Sequence, residues 1–190
     1  MKIDLIRERL LAHRPETIAE NGYDRAAVAV VLRESSAGAE FVAIRRSERE
    51  GDPWSGHMAL PGGREHPSDD DLVMTVARET HEEVGIDLRA HGQLLGRLDD
   101  VPAFAGGRPI RLVITPFVFA INTPVEFALN RREVERAFWV PLGFLTRPEA
   151  RGRIRFNLAG NELEHDAYVY QGHTIWGLTY RILSRFLDVL

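Results

Sequence analysis

The sequence contains no cysteine, which excludes both a disulfide framework and a cysteine-ligated zinc site. Basic residues are also in the minority, because 24 Lys and Arg stand against 28 Asp and Glu and give a net charge of −4. A general nucleic-acid-binding protein normally carries a basic stripe, so we expect no nucleic-acid partner. No apolar run approaches the roughly 18 residues of a membrane-spanning helix, and the N-terminus lacks a signal-peptide core. We therefore expect a cytoplasmic protein with no membrane partner.

The composition is typical of a globular protein, with 44% hydrophobic and 27% charged residues among 190. This length is sufficient to bury one well-formed hydrophobic core. The sequence shows no internal repeat, low-complexity tract or linker. We expect residues 1–190 to form a single domain.

The most informative stretch is residues 60–86, LPGGREHPSDDDLVMTVARETHEEVGI. A Pro-Gly-Gly turn and a polar loop precede a segment whose apolar residues recur at helical spacing. Ser68 and the three aspartates after it are typical of a helix start, and Gly85 is typical of a helix end. The stretch therefore predicts a glycine turn, a loop and one amphipathic helix.

Three glutamates of this predicted helix form an acidic patch. Glu79, Glu82 and Glu83 are spaced so that their carboxylates emerge from one side of the helix, where like charges repel by a few tenths of a kcal/mol per pair. Mg²⁺ would remove this repulsion, because it prefers carboxylate oxygens and keeps its other positions for water and phosphate oxygens. A solvated acidic face is the alternative for an isolated ExxEE pattern. The Gly-Gly turn and the Arg78–Glu79 pair make the ordered set much more specific than its parts.

In this order the residues resemble the Nudix box, the loop-helix signature of the Nudix hydrolases, usually written G-x5-E-x7-R-E-U-x-E-E-x-G-U with U apolar. The resemblance covers about residues 62–86, and its matching positions are Arg78, Glu79, Glu82, Glu83, Gly85 and Ile86. The front half departs from the pattern. Fourteen residues separate Gly63 from Arg78 where the pattern has thirteen, and Asp69 or Asp70 replaces the single Glu. Thr80 occupies an apolar position.

The resemblance implies a hydrolase for a diphosphate linked to another moiety, with Mg²⁺ or Mn²⁺ as cofactor and a small-molecule nucleotide as substrate. The metal ligands that it implies are Glu79, Glu82, Glu83 and the carbonyl of Gly63. Arg78 would hold a neighbouring glutamate in its coordinating rotamer. Gly62 and Gly63 would let the backbone approach the phosphates or the metal.

The segment ahead of the signature resembles the upstream motif of the coenzyme A pyrophosphatases, a subset of Nudix enzymes. That motif is roughly L-L-T-x-R-S-x3-R-x3-G-x3-F-P-G-G, and FVAIRRS, Gly56 and LPGG follow its outline. The spacing before Gly56 is one residue longer, Asp52 stands at the second Arg position, and Leu60 replaces Phe. Arg45 and Arg46 are candidate substrate-binding residues, although alternation along a strand lets at most one of them readily face a pocket.

The leading interpretation of the substrate is coenzyme A or a derivative, split into 3′,5′-ADP and 4′-phosphopantetheine. A nucleoside diphosphate sugar or ADP-ribose is the first alternative. A non-catalytic Nudix module that senses a nucleotide is a further alternative, although such modules often lose signature glutamates that this sequence retains.

Two further candidates follow the signature helix. Phe104, in a loop that contains Gly106 and Gly107, would border the substrate and stack on a base, with shielding of the core as the alternative. Glu133, or else Glu135, lies in an acidic loop that leads into a strand ending Trp-Val-Pro-Leu. This loop is similar to a recurrent Nudix element, so Glu133 is a candidate additional metal ligand or general base.

The order of elements completes the predicted fold. The predicted terminal helices lie within 3–13 and 173–190, and the predicted strands are 26–34, 40–47, 92–101, 109–121, 153–157 and 167–172. The resemblance implies an α/β fold, the Nudix-type α/β/α sandwich with a mixed sheet. In it the signature helix lies on one face and the C-terminal helix on the other. It also allows a homodimer.

Overall fold

The computed structural model describes residues 1–19, 22–51, 54–105, 108–158 and 161–190. The helices in these residues are α1 (Ile3–Ala12), α2 (Leu72–Val84), α3 (Leu88–His91) and α4 (Gly177–Val189). The strands before α2 are β1 (Asp24–Ser35), β2 (Gly38–Arg46), β3 (Met58–Ala59) and β4 (Gly62–Arg64). The strands after it are β5 (Gly92–Arg97), β6 (Val101–Ala105), β7 (Arg108–Ile121), β8 (Val134–Pro141), β9 (Arg151–Leu158), β10 (Asn161–Tyr170) and β11 (His173–Trp176). No helix in the described part of the chain is long and apolar enough to span a membrane.

The main sheet is mixed, with the strand order β3-β2-β1-β7-β5. Strands β1 and β7 run parallel, and the other pairs in this sheet are antiparallel. β8 pairs with β2, and β6 pairs with β7 beside the sheet's main path. β9, β10 and β11 form a second, three-stranded antiparallel sheet. The parallel β1–β7 pair is possible because α2 and the strands between them supply a long crossover connection.

The segment 58–64 lies between β1 and β2 where these two strands separate. β2 pairs with β8 along one edge, and along its other edge it pairs first with β1 and then with β3. β4 pairs with β1, with Gly62 opposite Val28 and Gly63 opposite Ala27. The two glycines of the signature are therefore held inside the main sheet rather than on a free loop.

The two faces of the main sheet carry separate apolar clusters. The cluster beneath α2 includes Ala27, Ala29, Val31, Val42, Ile44, Val76 and Val84. The opposite cluster includes Val30, Leu32, Phe41, Ala43, Ile182, Leu183 and Phe186, together with Ile6 and Leu10 of α1. Successive residues of β1 and β2 alternate between the two clusters, as side chains of a strand with two covered faces must. The predicted sandwich, with the signature helix and the C-terminal helix on opposite faces, is confirmed.

Several predicted boundaries were wrong. The signature helix begins at Leu72 with Asp71 as its N-cap, whose side chain accepts the N–H of Met74 at 2.7 Å, whereas Ser68 lies in the preceding turn. Phe104 lies in β6 rather than in a loop, because residues 101–105 pair with β7. The segment 162–165, which lies between the predicted strands 153–157 and 167–172, is part of β10, and β11 was not predicted. Asp52, Gly106 and Gly107 lie outside the described residues.

Candidate metal-binding and catalytic site

Gly62 and Gly63 pack closely against β1 and the signature helix. Gly62 has a φ of +146°, and a Cβ there would lie 2.2 Å from the carbonyl oxygen of Ala27. A Cβ on Gly63 would lie 2.4 Å from the carboxylate of Glu79. Contacts this short are not found between real atoms, so Gly62, whose Cβ would meet backbone atoms, requires glycine, whereas a Cβ at Gly63 would force the Glu79 carboxylate to move. The carboxylate of Glu79 therefore lies directly against the backbone of Gly63.

Glu83 points from the same helix to the same turn and is 2% exposed. Its Oε2 accepts a hydrogen bond from the backbone N–H of Gly62 at 2.9 Å. Burial raises the pKa of Glu83 to about 8, opposed by this hydrogen bond and by the charge of Arg46, and assisted by the negative charges of Glu79 and Glu133. Burial is also the main cause that raises the pKa of Glu79 above its ordinary value. The site thus holds partly buried carboxylates whose ionisation is costly without a nearby cation.

Arg78 links three carboxylates on the exposed side of this cluster. Its Nη1 donates to Oε1 of Glu79 at 2.7 Å and to Oε2 of Glu82 at 3.3 Å. Its Nε and Nη2 donate to the two carboxylate oxygens of Asp69 at 3.0 and 2.9 Å. This bidentate pair holds the pKa of Asp69 well below its usual range and raises that of Arg78. Of the two aspartates that could replace the signature's first acid, Asp69 is the one that contacts Arg78.

The donor set fits a hard divalent cation. Glu79, Glu82 and Glu83 supply carboxylate oxygens on one side of α2, and the absence of a Cβ at Gly63 leaves the backbone accessible beside Glu79. Among the described residues, no three His, Asp or Glu side chains already converge into a metal-binding group. Arg78 binds Glu79 and Glu82, whereas Gly62 binds Glu83. A cation that binds here would therefore compete with Arg78 for the first two carboxylates.

Glu133 ends the segment 130–133, which is hydrogen-bonded both to the signature helix and to the residues that follow β2. The N–H of Asn130 donates to the carbonyl of Glu83 at 3.1 Å, and the N–H of Glu133 donates to the carbonyl of Asn130 at 2.9 Å. Arg49 donates through Nε and Nη2 to the carbonyl of Arg132 at 2.9 and 2.7 Å. Arg49 also lies 3.8 Å from the Glu133 carboxylate. The negative charge of Glu133 contributes to the raised pKa values of both Glu79 and Glu83.

Ser47 forms two further hydrogen bonds with the same segment. Its backbone N–H donates to the carbonyl of Glu133 at 2.8 Å, and its hydroxyl donates to the carbonyl of Arg131 at 3.0 Å. Three successive carbonyls, those of residues 131, 132 and 133, therefore each accept a hydrogen bond from residues 47–49. Arg49, together with Ser47, thus holds the backbone that carries Glu133 in place.

The structure separates the two arginines at the end of β2. Arg45 forms ion pairs with Glu135 and with Glu48, at 3.3 Å in the second pair, so its guanidinium is already engaged by carboxylates. The positive charge of Arg46, by contrast, acts on Glu83 and lowers its pKa. Of the two, Arg46 is the one that the structure brings to the candidate site.

The ring of Phe104 contacts helix α4 rather than the glutamate cluster. Its side chain is 45% exposed, and the guanidinium of Arg181 on α4 lies 5.4 Å from the centre of its ring. The sequence carried no signal for this neighbour or for the role of Arg49, since both contacts join residues about 80 positions apart. It did carry a signal for Asp69, an acid within the signature loop.

Comparison with known proteins agrees with this geometry. Residues 22–156 match the family described as the NUDIX domain. An uncharacterised protein of Schizosaccharomyces pombe is 43% identical over 117 residues, which are 60% of this chain and 35% of that protein. The mitochondrial coenzyme A diphosphatase NUDT8 of Homo sapiens is 28% identical over 148 residues, which are 76% of this chain and 60% of that protein.

A solved MutT/nudix family protein from Enterococcus faecalis has the same fold, with a TM-score of 0.57 and 16% identity over the whole chain and 70% of that structure. Because the family match extends over more than half of the residues, the chain belongs to the Nudix family. It spans only 35% and 60% of the length of the two relatives described above.

Proposed function

We propose that this protein is a Nudix pyrophosphohydrolase that cleaves a nucleoside diphosphate linked to another moiety, with Mg²⁺ or Mn²⁺ as cofactor. The observation that carries the proposal is the cluster of Glu79, Glu82 and Glu83 against the paired glycines, with Arg78 bound to two of these carboxylates. A solvated acidic face would not pack a carboxylate directly against the backbone of a glycine in the sheet.

The residues have distinct roles in this proposal. Glu79, Glu82, Glu83 and the carbonyl of Gly63 would hold the metal. When bound, the metal lowers the pKa of the attacking water and neutralises charge on the diphosphate. Arg78 fixes the rotamer of Glu79 through their 2.7 Å hydrogen bond, and Asp69 in turn fixes Arg78.

Two residues outside the helix complete the site. Arg46 supplies a positive charge for the substrate's phosphates beside Glu83. Glu133 supplies a carboxylate next to the cluster, either as the group that accepts the proton of the attacking water or as an additional ligand. Hydrolysis of the anhydride adds the elements of water across one P–O bond and yields two phosphate monoesters.

Coenzyme A is the substrate that we propose first, with 3′,5′-ADP and 4′-phosphopantetheine as products. The support is the upstream pattern that ends in LPGG, together with the similarity to a human protein named as a coenzyme A diphosphatase. Three departures from that pattern would also be explained by a pocket for ADP-ribose or a nucleoside diphosphate sugar. They are the one-residue insertion, Asp52 and Leu60.

A hydrolysis screen tests the proposal. The protein is incubated with Mg²⁺ and, separately, with coenzyme A, ADP-ribose, UDP-glucose, NADH and a diadenosine polyphosphate. The phosphate monoesters are then detected by phosphatase-coupled phosphate release. We expect coenzyme A to be the preferred substrate and Glu83→Gln to abolish turnover, because Glu83 is a proposed metal ligand that is hydrogen-bonded to the glycine turn. Preference for a sugar nucleotide would replace the proposed substrate. Absence of activity on every compound with Mg²⁺ or Mn²⁺ would favour a nucleotide sensor.

A further inference from the structure

Phe104 and Arg181 form an exposed contact between β6 and α4. The Phe104 ring is 45% exposed, although aromatic side chains of this size are usually covered. The Cζ of Arg181 lies 5.4 Å from the ring centre, and its Nη1 reaches the carbonyl of Pro102 at 3.5 Å. The contact therefore presents one aromatic face and one guanidinium at the same surface.

Arg181 has no carboxylate partner among the described residues, unlike most arginines of this chain. Arg185, on the same helix, donates to the carbonyl oxygen of Asp100 at 3.3 Å. Burial, and then the charge of Arg185, lowers the pKa of Arg181. Partial burial of a cation beside another cation costs free energy unless an anion binds between them. The surface is thus complementary to a negative group, although the whole chain is acidic.

The register of the main sheet brings this surface within reach of the candidate site. Val101 of β6 pairs with Ile114 of β7, Ile114 pairs with Ala26 of β1, and Ala26 pairs with Arg64 of β4. Three strand spacings of about 4.8 Å make this row about 14 Å long. Phe104 lies three residues further along β6 than Val101, about 10 Å at roughly 3.4 Å per residue, so the subsite is roughly 17 Å from Arg64. The carbonyl of Arg64 accepts a hydrogen bond from Arg78, so the row ends at the glutamate cluster. An extended nucleotide-containing substrate has a comparable length.

We propose that Phe104 and Arg181 form an anchoring subsite for the nucleoside end of the substrate. Phe104 stacks on the base, and Arg181 binds a phosphate monoester that is separate from the diphosphate to be cleaved. This inference rests on the proposed function and narrows it to substrates whose nucleoside carries an additional phosphate. ADP-ribose and UDP-glucose lack that group, whereas the 3′-phosphate of coenzyme A provides it.

Binding of two hydrolysis-resistant monoesters, adenosine 3′,5′-bisphosphate and AMP, tests the subsite by isothermal titration calorimetry in Mg²⁺. The two ligands differ only in the 3′-phosphate. We expect the wild-type protein to bind the bisphosphate at least about tenfold more tightly, which is the size of one charge-assisted phosphate contact. In Arg181→Gln this preference should fall to about twofold or less. Arg181→Lys, which retains the charge, should keep most of it.

Two further variants separate the parts of the subsite. Phe104→Leu should weaken the binding of both ligands about fivefold or more, without changing their ratio, because stacking is shared by both. Arg147→Gln removes an exposed arginine that pairs with Glu149 elsewhere on the surface and should change neither affinity. Circular dichroism and thermal unfolding verify the fold of each variant.

The outcomes separate this inference from the proposed function. Equal binding of the two ligands by the wild-type protein, or an unchanged preference in Arg181→Gln, would overturn the subsite even if the enzyme hydrolyses coenzyme A. Absence of hydrolysis in the substrate screen together with the expected binding preference would overturn the proposed function and leave the subsite in place.

Discussion

Replacement of Glu83 by glutamine should stabilise the metal-free protein at neutral pH while it removes a metal ligand. Burial raises the pKa of Glu83 from 4.5 to about 8 in the folded protein. The folded state therefore binds this proton more tightly than the unfolded state does. The stability that the protonated group contributes is fully present below pH 4.5 and is lost as the pH rises from 4.5 to about 8. Glutamine is a neutral isostere and does not ionise.

The size of this stabilisation follows from the interval between pH 7 and the pKa of Glu83 in the unfolded protein. At pH 7 the medium is roughly two and a half pH units above the unfolded pKa, and each unit corresponds to about 1.4 kcal/mol, so the difference is about 3 kcal/mol. The hydrogen bond from the N–H of Gly62, at 2.9 Å, is retained because the amide oxygen of glutamine can accept it. We therefore expect no compensating loss of a buried hydrogen bond.

Urea unfolding in EDTA at about pH 5 and at pH 7 measures this effect. Glu83→Gln should exceed the wild-type protein by less than about 1 kcal/mol at pH 5 and by about 3 kcal/mol at pH 7. Glu82→Gln is the matched control, since the Glu82 side chain is 52% exposed and its replacement should leave the contribution of Glu83 to the pH dependence in place. A Glu83→Gln protein that is less stable than wild type at pH 7, or a difference that does not vary with pH, would refute the reasoning.

Two further predictions concern the supports of the site. Gly63→Ala should displace the Glu79 carboxylate, which lies 2.4 Å from the added carbon, and weaken Mg²⁺ affinity about 10- to 100-fold in an activity titration. Gly143→Ala, where nothing lies within 4 Å, should leave that affinity unchanged, and equal effects would contradict the prediction. Arg49→Ala should lower kcat in the wild-type protein but add nothing in a Glu133→Gln background, because Arg49 acts by bracing Glu133. Additive losses in this double-mutant cycle would argue for a separate role of Arg49.

Local interactions explain why the signature helix was predictable. Gly85 ends α2 with a φ of +76° and donates its N–H to the carbonyl of His81 at 2.9 Å. Such a left-handed cap depends only on the last turn, so its glycine is visible in the sequence. The helical spacing of Glu79, Glu82 and Glu83 is likewise set within two turns. The start of the helix was misplaced because four consecutive polar residues could each have capped it, and only the geometry of Asp71 selected one.

The sequence by itself determined the fold class, the acidic helix and its glycine turn, since each depends on residues that are close along the chain or on a signature with fixed spacing. Only the tertiary structure decided that Asp69 rather than Asp70 holds Arg78, and that Arg45 is paired with Glu48 and Glu135 whereas the charge of Arg46 acts on Glu83. It also decided the distant pairings of Arg49 with Arg132 and of Phe104 with Arg181. These contacts arise from the packing of separate strands and helices. The residues that neighbour each partner in the sequence therefore do not predict them.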